Sequence, residues 1–438
     1  MDNNLSSKTR IIVVGGGAGG LELVTRLGRK LGRRDKAEVI LVDDTLTHIW
    51  KPLLHEVATG ALDQSLDEIS YVAHAKANGY TFHAGTLIGL DRIERNLHLA
   101  PVFDAQGEQL LAARTLTYDY LVLAIGSVSN DFGIPGVAEH CYFLDSSNQA
   151  GMLHKALFDA FLRHGGDHSK PARELSVAII GAGATGVELA AELISATEIL
   201  SAYGYSQVGR ERLQIHLVEA EARVLPALPE RISQTVIERL ERLGITVHTE
   251  TIVAQVDAQG LQASTGKRID ADLCIWAAGV CCNSMLSELG LNTRPNHQIL
   301  VDSNLASVDD KRIFAIGDCA AFPMGADDWV PPRAQAAHQM ASLAFHNVRA
   351  SFANKPLKVF KYKDFGSLVS LARFTAVGTL MSGRSGGSGL LIEGTLAKLC
   401  YVSLYRMHQR VLHGSFKTLL KILVDGINIM LQPRLKLH

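Results

Sequence analysis

The sequence predicts an α/β protein with two Rossmann-like dinucleotide-binding domains and a C-terminal helical region that associates with a membrane. Three observations lead to this class: a glycine signature that occurs twice, an acidic residue after the next strand of each copy, and a change of character from Lys398 onward. The 438 residues allow about two or three domains. With 47% apolar and 20% charged residues, the composition is that of a globular protein.

Each glycine signature lies between an apolar run of strand length and a stretch that favours helix. The strand, the glycines and the helix are residues 11–14, Gly15, Gly17, Gly20 and residues 21–31 in the first copy, and residues 177–180, Gly181, Gly183, Gly186 and residues 187–200 in the second. The first glycine permits a tight turn, the second lets backbone N–H groups approach a diphosphate, and the third lets helix and strand pack closely. This spacing therefore predicts a diphosphate at each helix N-terminus.

An acidic residue ends the second strand of each copy. Residues 39–42 lead into Asp43, and residues 215–218 lead into Glu219. A carboxylate at this point accepts hydrogen bonds from a ribose hydroxyl. Glycine-rich turns also close ordinary parallel sheets, but strand, glycines, helix and acid together, twice, predict two bound dinucleotides.

A third segment, residues 312–318 (RIFAIGD), reads as a buried strand followed by a turn and Asp318. It resembles the second flavin motif of two-dinucleotide-domain flavoproteins, in which the aspartate holds the ribityl chain; the alternative is an aspartate that caps a helix. Two more predicted strands run into Gly126 and Gly279, where the chain of that family crosses between domains. The resemblance implies FAD and a nicotinamide nucleotide. It also implies a discontinuous FAD domain (residues 1–126 and 300–345) that is interrupted by an NADH domain (127–299). The basic and amphipathic end of the chain makes the remaining residues, 346–438, a predicted membrane-attachment region.

The six cysteines show neither Cys-x-x-Cys nor metal-ligand spacing, so we predict no metal site. Flavin disulfide reductases carry a redox cysteine pair just after the first nucleotide unit, and residues 48–61 (HIWKPLLHEVATGA) contain no cysteine. Sulfide oxidation requires a cysteine relay, for which Cys141 and Cys319 stay open. Most of the cysteines are expected to be small buried hydrophobic residues.

Longer segments resemble the bacterial type II NADH dehydrogenases, the single-subunit NADH:quinone oxidoreductases that do not pump protons. These segments are IIVVGGGAGGLEL, WKPLLHEVATGALD, GATGVELAAEL, LVEAEARVLPALP, FAIGDCA, PPRAQAAHQMA, KDFGSLVSL and the ending SLYRMHQ…LHG…PRLKLH. The resemblance covers nearly the whole chain. It implies non-covalent FAD, NADH as donor and a membrane quinone, ubiquinone or menaquinone, as acceptor.

With this resemblance, the sequence predicts three sets of site residues. The FAD contacts are Gly15, Gly17, Ala18, Gly19, Gly20, Asp43, Lys51, Gly126, Asp318, Gln335 and Ala336; the NADH contacts are Gly181, Gly183, Thr185, Gly186, Glu188, Glu219 and Gly279; the catalytic residues are Glu188, Gln335 and Gln339. Gln335 and Gln339 are spaced i and i+4, so on a helix they share one face, either at the quinone site or as an ordinary solvent-facing pair. Glu188 either reaches the flavin or only stabilises the start of its helix.

The end of the chain is basic and amphipathic. From Lys398 onward there are seven Lys and Arg residues against Asp425 alone, although the whole chain carries a net charge of −1. On a helical wheel from Phe416, Lys417, Thr418, Lys421, Asp425 and Asn428 form a narrow polar stripe beside a wide apolar face. Such a helix either lies in a bilayer interface or packs its apolar face on the body or on a second subunit of a homodimer. The basic excess favours an anionic membrane surface.

Neither a signal peptide nor a membrane span is evident in the sequence. We therefore expect a peripheral protein on the cytoplasmic face of the bacterial inner membrane, where NADH is available, and no nucleic-acid partner. Two other functions stay open: a soluble flavin reductase of a small iron–sulfur protein, and a membrane-recruited sensor that binds FAD and NADH without turnover.

Overall fold

The computed structural model describes residues 8–165, 174–203, 209–325, 328–381, 389–431 and 435. Its α-helices are α1 Ala18–Leu27, α2 Leu54–Thr59, α3 Gln64–Asp67, α4 Tyr71–Asn78, α5 Val137–His140, α6 Ser147–Gly165, α7 Ala184–Ala202, α8 Glu230–Arg242, α9 Met285–Glu288, α10 Ala334–Phe352, α11 Thr395–His413 and α12 Ser415–Leu431. Short 3₁₀ turns cover Lys51–Leu53, Arg210–Arg212 and Gly317–Cys319, and a π-helical turn covers Gly28–Gly32.

The strands are short, as is usual for α/β proteins. They are β1 Arg10–Val14, β2 Glu38–Asp43, β3 Thr47–His48, β4 Ile69–Ser70, β5 Thr81–Ala84, β6 Leu87–Asp91, β7 Asn96–Leu99, β8 Val102–Phe103, β9 Gln109–Leu111, β10 Arg114–Thr117, β11 Tyr120–Leu123, β12 Val128–Ser129, β13 Cys141–Tyr142, β14 Leu175–Ile180, β15 Leu213–Val218, β16 Ile245–His248, β17 Val253–Asp257, β18 Gly260–Ala263, β19 Arg268–Asp270, β20 Leu273–Trp276, β21 Val280–Cys281, β22 Ile299–Leu300, β23 Ile313–Ala315, β24 Ala320–Ala321, β25 Gly366–Leu371, β26 Thr375–Leu380 and β27 Leu390–Glu393.

Two five-stranded parallel sheets form the two nucleotide units. The first has the order β23-β11-β1-β2-β5 and the second the order β13-β20-β14-β15-β16. Their central strands are continuous apolar runs because both faces of a parallel sheet are covered by helices. The predicted α/β class with two dinucleotide-binding units is confirmed.

The chain leaves the first sheet, builds the second and then returns. β23 pairs in parallel with β11, with Leu121 opposite Ile313, although most of the second unit lies between them in sequence. Residues of the first sheet belong to one hydrophobic core, and those of the second sheet to two others. The pairing supports an interrupted first domain, while the bounds given above stay a prediction.

The helices after the glycine turns start earlier than the sequence predicts. α1 begins at Ala18 rather than at residue 21, and α7 begins at Ala184 rather than at residue 187. In both cases the second glycine of the signature is the N-cap, so the helix includes the third glycine. α1 ends at Leu27 and continues as the π-helical turn, which splits the predicted helix.

The C-terminal region adds an antiparallel sheet, β25-β26-β27, and the pair α11 and α12. Val369 and Leu371 of β25 are buried in the core of the second unit. α11 packs on β26 and α1, so it contacts both this small sheet and the first unit. A single residue, Gly414, joins α11 to α12 at φ +85°, which makes a tight helical hairpin.

Candidate active site

A continuous cleft of about 2730 Å³ connects the two nucleotide units with the C-terminal region. Its walls include both glycine turns, the start of α10, β25 and one side of the α11–α12 hairpin. The volume exceeds the roughly 300–1,000 Å³ of a single ligand pocket, so the cleft has room for more than one bound molecule.

The first glycine turn is held by side chains around it. Gly15 has φ +99°, and a Cβ there would lie 2.3 Å from the carbonyl oxygen of Ala124. The Gly16 N–H donates to Asp43 Oδ2 at 2.5 Å, and Tyr71 Oη donates to the Gly16 carbonyl at 2.9 Å. Gly17 faces open space, since an added Cβ would meet nothing within 4 Å. Burial raises the pKa of Asp43, against the hydrogen bonds from Thr45 and Gly16.

The second glycine turn repeats this geometry. Gly181 has φ +102°, and Glu219 Oε2 accepts from the Ala182 N–H at 2.7 Å. Glu219 Oε1 accepts from the Glu221 N–H at 3.0 Å. An added Cβ at Gly183 also meets nothing within 4 Å. The two predicted acids thus each tie the end of a strand to a glycine turn.

Lys51, Asp318 and the turn after Gly126 come together although they are far apart in sequence. Ser127 Oγ donates to Asp318 Oδ2 at 2.7 Å, and Lys51 Nζ donates to the Ser127 carbonyl at 2.9 Å. Asp318 lies inside the 3₁₀ turn Gly317–Cys319, whose N-cap is Ile316, so it is not a helix cap. The predicted flavin contacts Lys51, Gly126 and Asp318 all line the cleft.

Some predicted contacts are not among the residues that line the cleft. These are Gly20, Ala336, Gly181, Gly186, Glu219 and Gly279. A Cβ at Gly20 or Gly186 would lie 1.8 or 1.9 Å from a carbonyl oxygen of its own turn, so these glycines allow close packing of helix on strand. Ala336 is 3% exposed and belongs to the core of the first unit, so its side chain is turned away from any ligand.

Gln335 and Gln339 lie on one face of α10 and line the cleft. Gln335 Nε2 donates to Asp364 Oδ1 and to the Gly366 carbonyl, each at 3.1 Å. Gln339 exchanges two hydrogen bonds with the Lys363 backbone, at 2.8 and 3.0 Å. Both amides therefore hold the segment that leads into β25, and they are not a free solvent-facing pair.

Glu188 is buried one turn into α7 and points to the C-terminal region. Its Oε1 accepts from the Ser370 N–H at 2.9 Å, and its Oε2 lies 3.7 Å from His55 Nδ1. Burial raises the pKa of Glu188 to about 8, with Ser370 opposing the rise and Glu56 adding to it. The Tyr401 side chain of α11 also opposes the rise in the pKa of this carboxyl. Glu188 therefore does more than stabilise a helix start.

Sequence reasoning missed the acidic cluster around Glu188. Burial raises the pKa of Glu56 to about 8 and that of Glu192 to about 7, and both line the cleft. His55 lies between two of the acids, with its Nε2 4.0 Å from Glu56 Oε1, and burial lowers its pKa to about 4. The i, i+4 spacing of Glu188 and Glu192 is the one feature of the sequence that could have indicated this cluster. Glu56 lies on another helix, α2, and comes near them only in the folded protein.

The polar stripe of α12 faces the protein body. Thr418 is buried, Lys421 Nζ lies 3.3 Å from Asp67 Oδ1, and Asp425 Oδ2 lies 2.7 Å from Arg406 Nη1. The apolar side chains face outward on both helices of the hairpin. The exposed ones are Leu396, Leu399, Val402, Leu404, Met407, Phe416, Leu419, Leu420, Ile422, Leu423, Val424 and Ile427. The alternative in which this face packs on the body is therefore wrong for these residues.

Across the parts of the chain that the structure describes, no helix combines the length and the apolarity that a membrane crossing requires.

The two glycine turns suit dinucleotides. The N-caps Gly17 and Gly183 have no side chain, so the N–H groups of the first turns of α1 and α7 stay available to an anion. The open space beside both glycines is what a diphosphate would fill. The residues present therefore fit a dinucleotide at each turn, as FAD and a nicotinamide dinucleotide require.

This fold and these paired sites define a class, the two-dinucleotide-domain flavoproteins. A family model described as pyridine nucleotide-disulphide oxidoreductase matches residues 9–341. The chain is 48% identical, over 442 residues that cover 98% of it and 99% of the relative, to the type II NADH:quinone oxidoreductase of Haemophilus influenzae. The chain belongs to the type II NADH:quinone oxidoreductase family.

More distant proteins agree with this assignment. The type II NADH:quinone oxidoreductase of Staphylococcus aureus is 27% identical over 379 residues, which cover 85% of this chain and 89% of the relative. The structure of NDH2 from Plasmodium falciparum in complex with NADH superposes with a TM-score of 0.80 at 21% identity, over 98% of this chain and 99% of that one. At that identity the superposition supports the fold alone.

Proposed function

We propose that this chain is a respiratory NADH:quinone oxidoreductase in which one cleft serves NADH, FAD and quinone. One observation carries the proposal. The same cleft is lined by both glycine turns, by the glutamine face of α10 and by the α11–α12 hairpin. When bound, FAD would supply the redox chemistry, namely two-electron reduction by NADH and two-electron reoxidation by a quinone.

The chain's own residues bind and orient. The turn at Gly15–Gly20 and Asp43 would hold the adenosine diphosphate part of FAD, with Lys51 and Asp318 toward the ribityl chain. The turn at Gly181–Gly186 and Glu219 would hold NADH. These roles rest on the open glycine backbones and on the hydrogen bonds that set the two acids.

Glu188 and the glutamines serve the quinone step. Reduction of a quinone by NADH takes up one proton from water, and a carboxyl with a pKa near 8 is protonated at neutral pH. Glu188 would keep that proton beside the reacting groups. Gln335 and Gln339 would border the quinone and keep the segment of β25 in place.

The hairpin α11–α12 would bring the cleft to its lipid-soluble substrate. Its apolar face is exposed, Lys417 on its rim is exposed, and Lys421, Val424 and Asn428 line the cleft. We propose that this face lies in an anionic membrane surface, on the cytoplasmic side of the bacterial inner membrane, with ubiquinone or menaquinone as acceptor. A homodimer that pairs two hairpins stays the competing use of this face.

Anaerobic titration of the bound flavin tests the function. NADH should bleach the yellow protein in a 1:1 ratio, and a quinone added afterwards should restore the colour. Flavin that stays oxidised with NADH would contradict the proposal and favour a sensor. Flavin that is bleached by NADH but recoloured only by an iron–sulfur protein would favour the soluble reductase.

A further inference from the structure

A buried carboxylate just behind the first glycine turn joins three helices. Glu22 of α1 is 1% exposed. Its Oε2 accepts from His338 Nδ1 of α10 at 2.7 Å, and its Oε1 accepts from His408 Nδ1 of α11 at 3.0 Å. Arg26 of α1 lies 3.5 Å away on the Oε2 side. None of the roles proposed above uses Glu22.

The hydrogen-bonded chain continues to the glycine turn through a second buried histidine. His408 Nε2 lies 3.0 Å from His48 Nε2, and both rings are buried. Burial holds the pKa of His48 well below its ordinary value, so this ring is neutral; a backbone hydrogen bond with Gly16 opposes the shift.

The hydrogen bonds also set the charge of Glu22. Burial acts to raise the pKa of Glu22, but the hydrogen bonds from His338 and His408 outweigh it and lower the pKa below the ordinary value. Glu22 is thus a carboxylate, and both histidines donate to it from Nδ1.

These hydrogen bonds lie between the helix that carries the two glutamines and the hairpin with the exposed apolar face. His338 precedes Gln339 on α10, and His408 is on the buried face of a helix whose other face is exposed and apolar. The ring of Trp50 lies over His408 with a centroid distance of 4.2 Å. A change at Glu22 would therefore weaken the attachment of α10 and of α11 to α1 at the same point.

We propose that Glu22 is a positioning residue for the quinone half-reaction. Its carboxylate, shared by His338 and His408, keeps the glutamine face of α10 and the α11–α12 hairpin in register with the flavin turn. Docking of the hairpin on a membrane is thereby coupled to the geometry of quinone reduction. This inference rests on the function proposed above.

The test uses the full-length, flavin-loaded protein with Glu22→Gln, which removes the charge and keeps the shape. Glu38→Gln, at a half-exposed carboxylate of β2 paired with Arg10, is the matched control. Stopped-flow measurement should show reoxidation of the flavin by a quinone in vesicles slowed roughly ten- to hundred-fold, as expected when reacting groups are misplaced by about an ångström. Reduction by NADH and turnover with ferricyanide should match the control.

Two further variants keep the inference open to refutation if Glu22→Gln loads flavin poorly. His408→Gln should give the same split between the half-reactions, and the double variant should lose less than the product of the two single losses, because both single changes break the same Glu22–His408 hydrogen bond. Equal slowing of both half-reactions, no slowing at all, or multiplicative losses would overturn the role of Glu22. If quinone fails to reoxidise the unaltered protein, the proposed function fails instead.

Discussion

Asp43 and Glu219 close their own glycine turns, so each acid has a structural contact before any ligand binds. Glu219 accepts from the N–H groups of Ala182 and Glu221, one on each carboxylate oxygen. The ribose contact that we propose uses the remaining lone pairs. A change at such an acid affects both the turn and the bound ligand. A test of the ligand contact therefore compares kcat/KM for two nucleotides in the same variant.

Glu219 should set the preference for NADH over NADPH, because its negative charge opposes the 2′-phosphate of NADPH. We expect Glu219→Gln to narrow the ratio of kcat/KM for the two nucleotides by roughly ten-fold, since a charge pair a few ångströms apart near a surface is worth about 1 kcal/mol or more. Loosening of the turn affects both nucleotides alike and cancels in the ratio. Glu221→Gln, two residues along, should leave the ratio unchanged; comparable kcat/KM values in the unaltered protein would contradict the assignment.

Glu188 should give quinone reduction a pH dependence. A carboxyl whose pKa is about 8 holds its proton below that pH and loses it above, so reoxidation of the flavin by quinone should slow as the pH rises through about 8. Glu188→Gln should remove this decline and slow the step at neutral pH by roughly 10²-fold, in the usual range for acid catalysis. Stopped-flow pH profiles measure both effects. Glu198→Gln on the same helix is the control, and a profile unaltered by Glu188→Gln would refute the role.

At the scale of elements, α10 joins the first unit to the C-terminal region. It packs on α1 along one side, and its glutamines hold residues 363–366 on another. The surface proposed to face the quinone is therefore formed by α10 and by residues 363–366, which the two glutamine side chains hold together.

Replacing Gln335 or Gln339 by Leu should separate the half-reactions. The variant loses the hydrogen bonds to residues 363–366 and the polar lining of the cleft, so reoxidation by quinone should slow roughly ten- to hundred-fold. Reduction by NADH, followed by flavin absorbance in the stopped flow, should stay nearly intact. His346→Leu, three turns along the same face and exposed, should change neither. Loss of the reductive half would assign these glutamines to the nicotinamide instead.

The hairpin α11–α12 presents apolar side chains to the outside and keeps its ion pairs inside. Deletion of residues 415–438 would also remove the contacts of Lys421 with Asp67 and of Asp425 with Arg406. Substitution on the outer face is therefore a cleaner test of attachment than truncation.

The pair Leu419→Glu and Leu423→Glu should release the protein from vesicles that contain anionic lipid. Each Leu side chain that the membrane buries contributes about 1.5–3 kcal/mol to binding. Loss of both should therefore weaken binding to the vesicles by at least 10²-fold. Flavin content and NADH turnover with a water-soluble acceptor should persist, while turnover with a bilayer quinone should fall. Ile93→Glu is the control, because it changes an exposed apolar residue outside the hairpin; it should leave co-sedimentation with vesicles unchanged. A variant that still sediments with vesicles, or that only changes oligomeric state, would favour the homodimer.

At the scale of the whole molecule, the acidic cluster links stability to pH. The folded pKa of Glu56 and of Glu188 is about 8, against an ordinary 4.5, so the folded state holds protons that the unfolded state has already released. The stability that these two protonated acids contribute is fully present below about pH 4.5 and is lost as the pH rises through about 8. Burial lowers the pKa of His55 to about 4, so this residue makes the folded state more stable as the pH rises, but only below about pH 6.5.

We therefore expect the free energy of unfolding to fall between pH 6.5 and 8, by up to about 1 kcal/mol per pH unit for each acid. Denaturant titrations of the flavin-loaded protein at a series of pH values measure this slope. Glu56→Gln should flatten this slope, whereas Glu68→Gln, at a half-buried carboxylate that accepts from Gln64 and Ser147, should not. A stability that rises across this window would contradict the protonated state of the cluster.

Sequence by itself determined the class, the two glycine turns and their acids, because these depend on local backbone requirements. A tight turn with φ near +100°, an open backbone at a diphosphate and a carboxylate at a strand end each need particular residues at fixed spacing. The amphipathic pattern of α12 and the shared face of Gln335 and Gln339 follow from helical periodicity in the same way.

Only the tertiary structure decided which side chains share an environment. Glu56, Glu188 and Tyr401 come from three separate helices, and Glu22 meets His408 almost four hundred residues along the chain. It also decided that the polar stripe of α12 faces inward and that Ala336 lies in the core. The physical reason is that burial and charge coupling depend on distances between segments, which no local pattern of residues records.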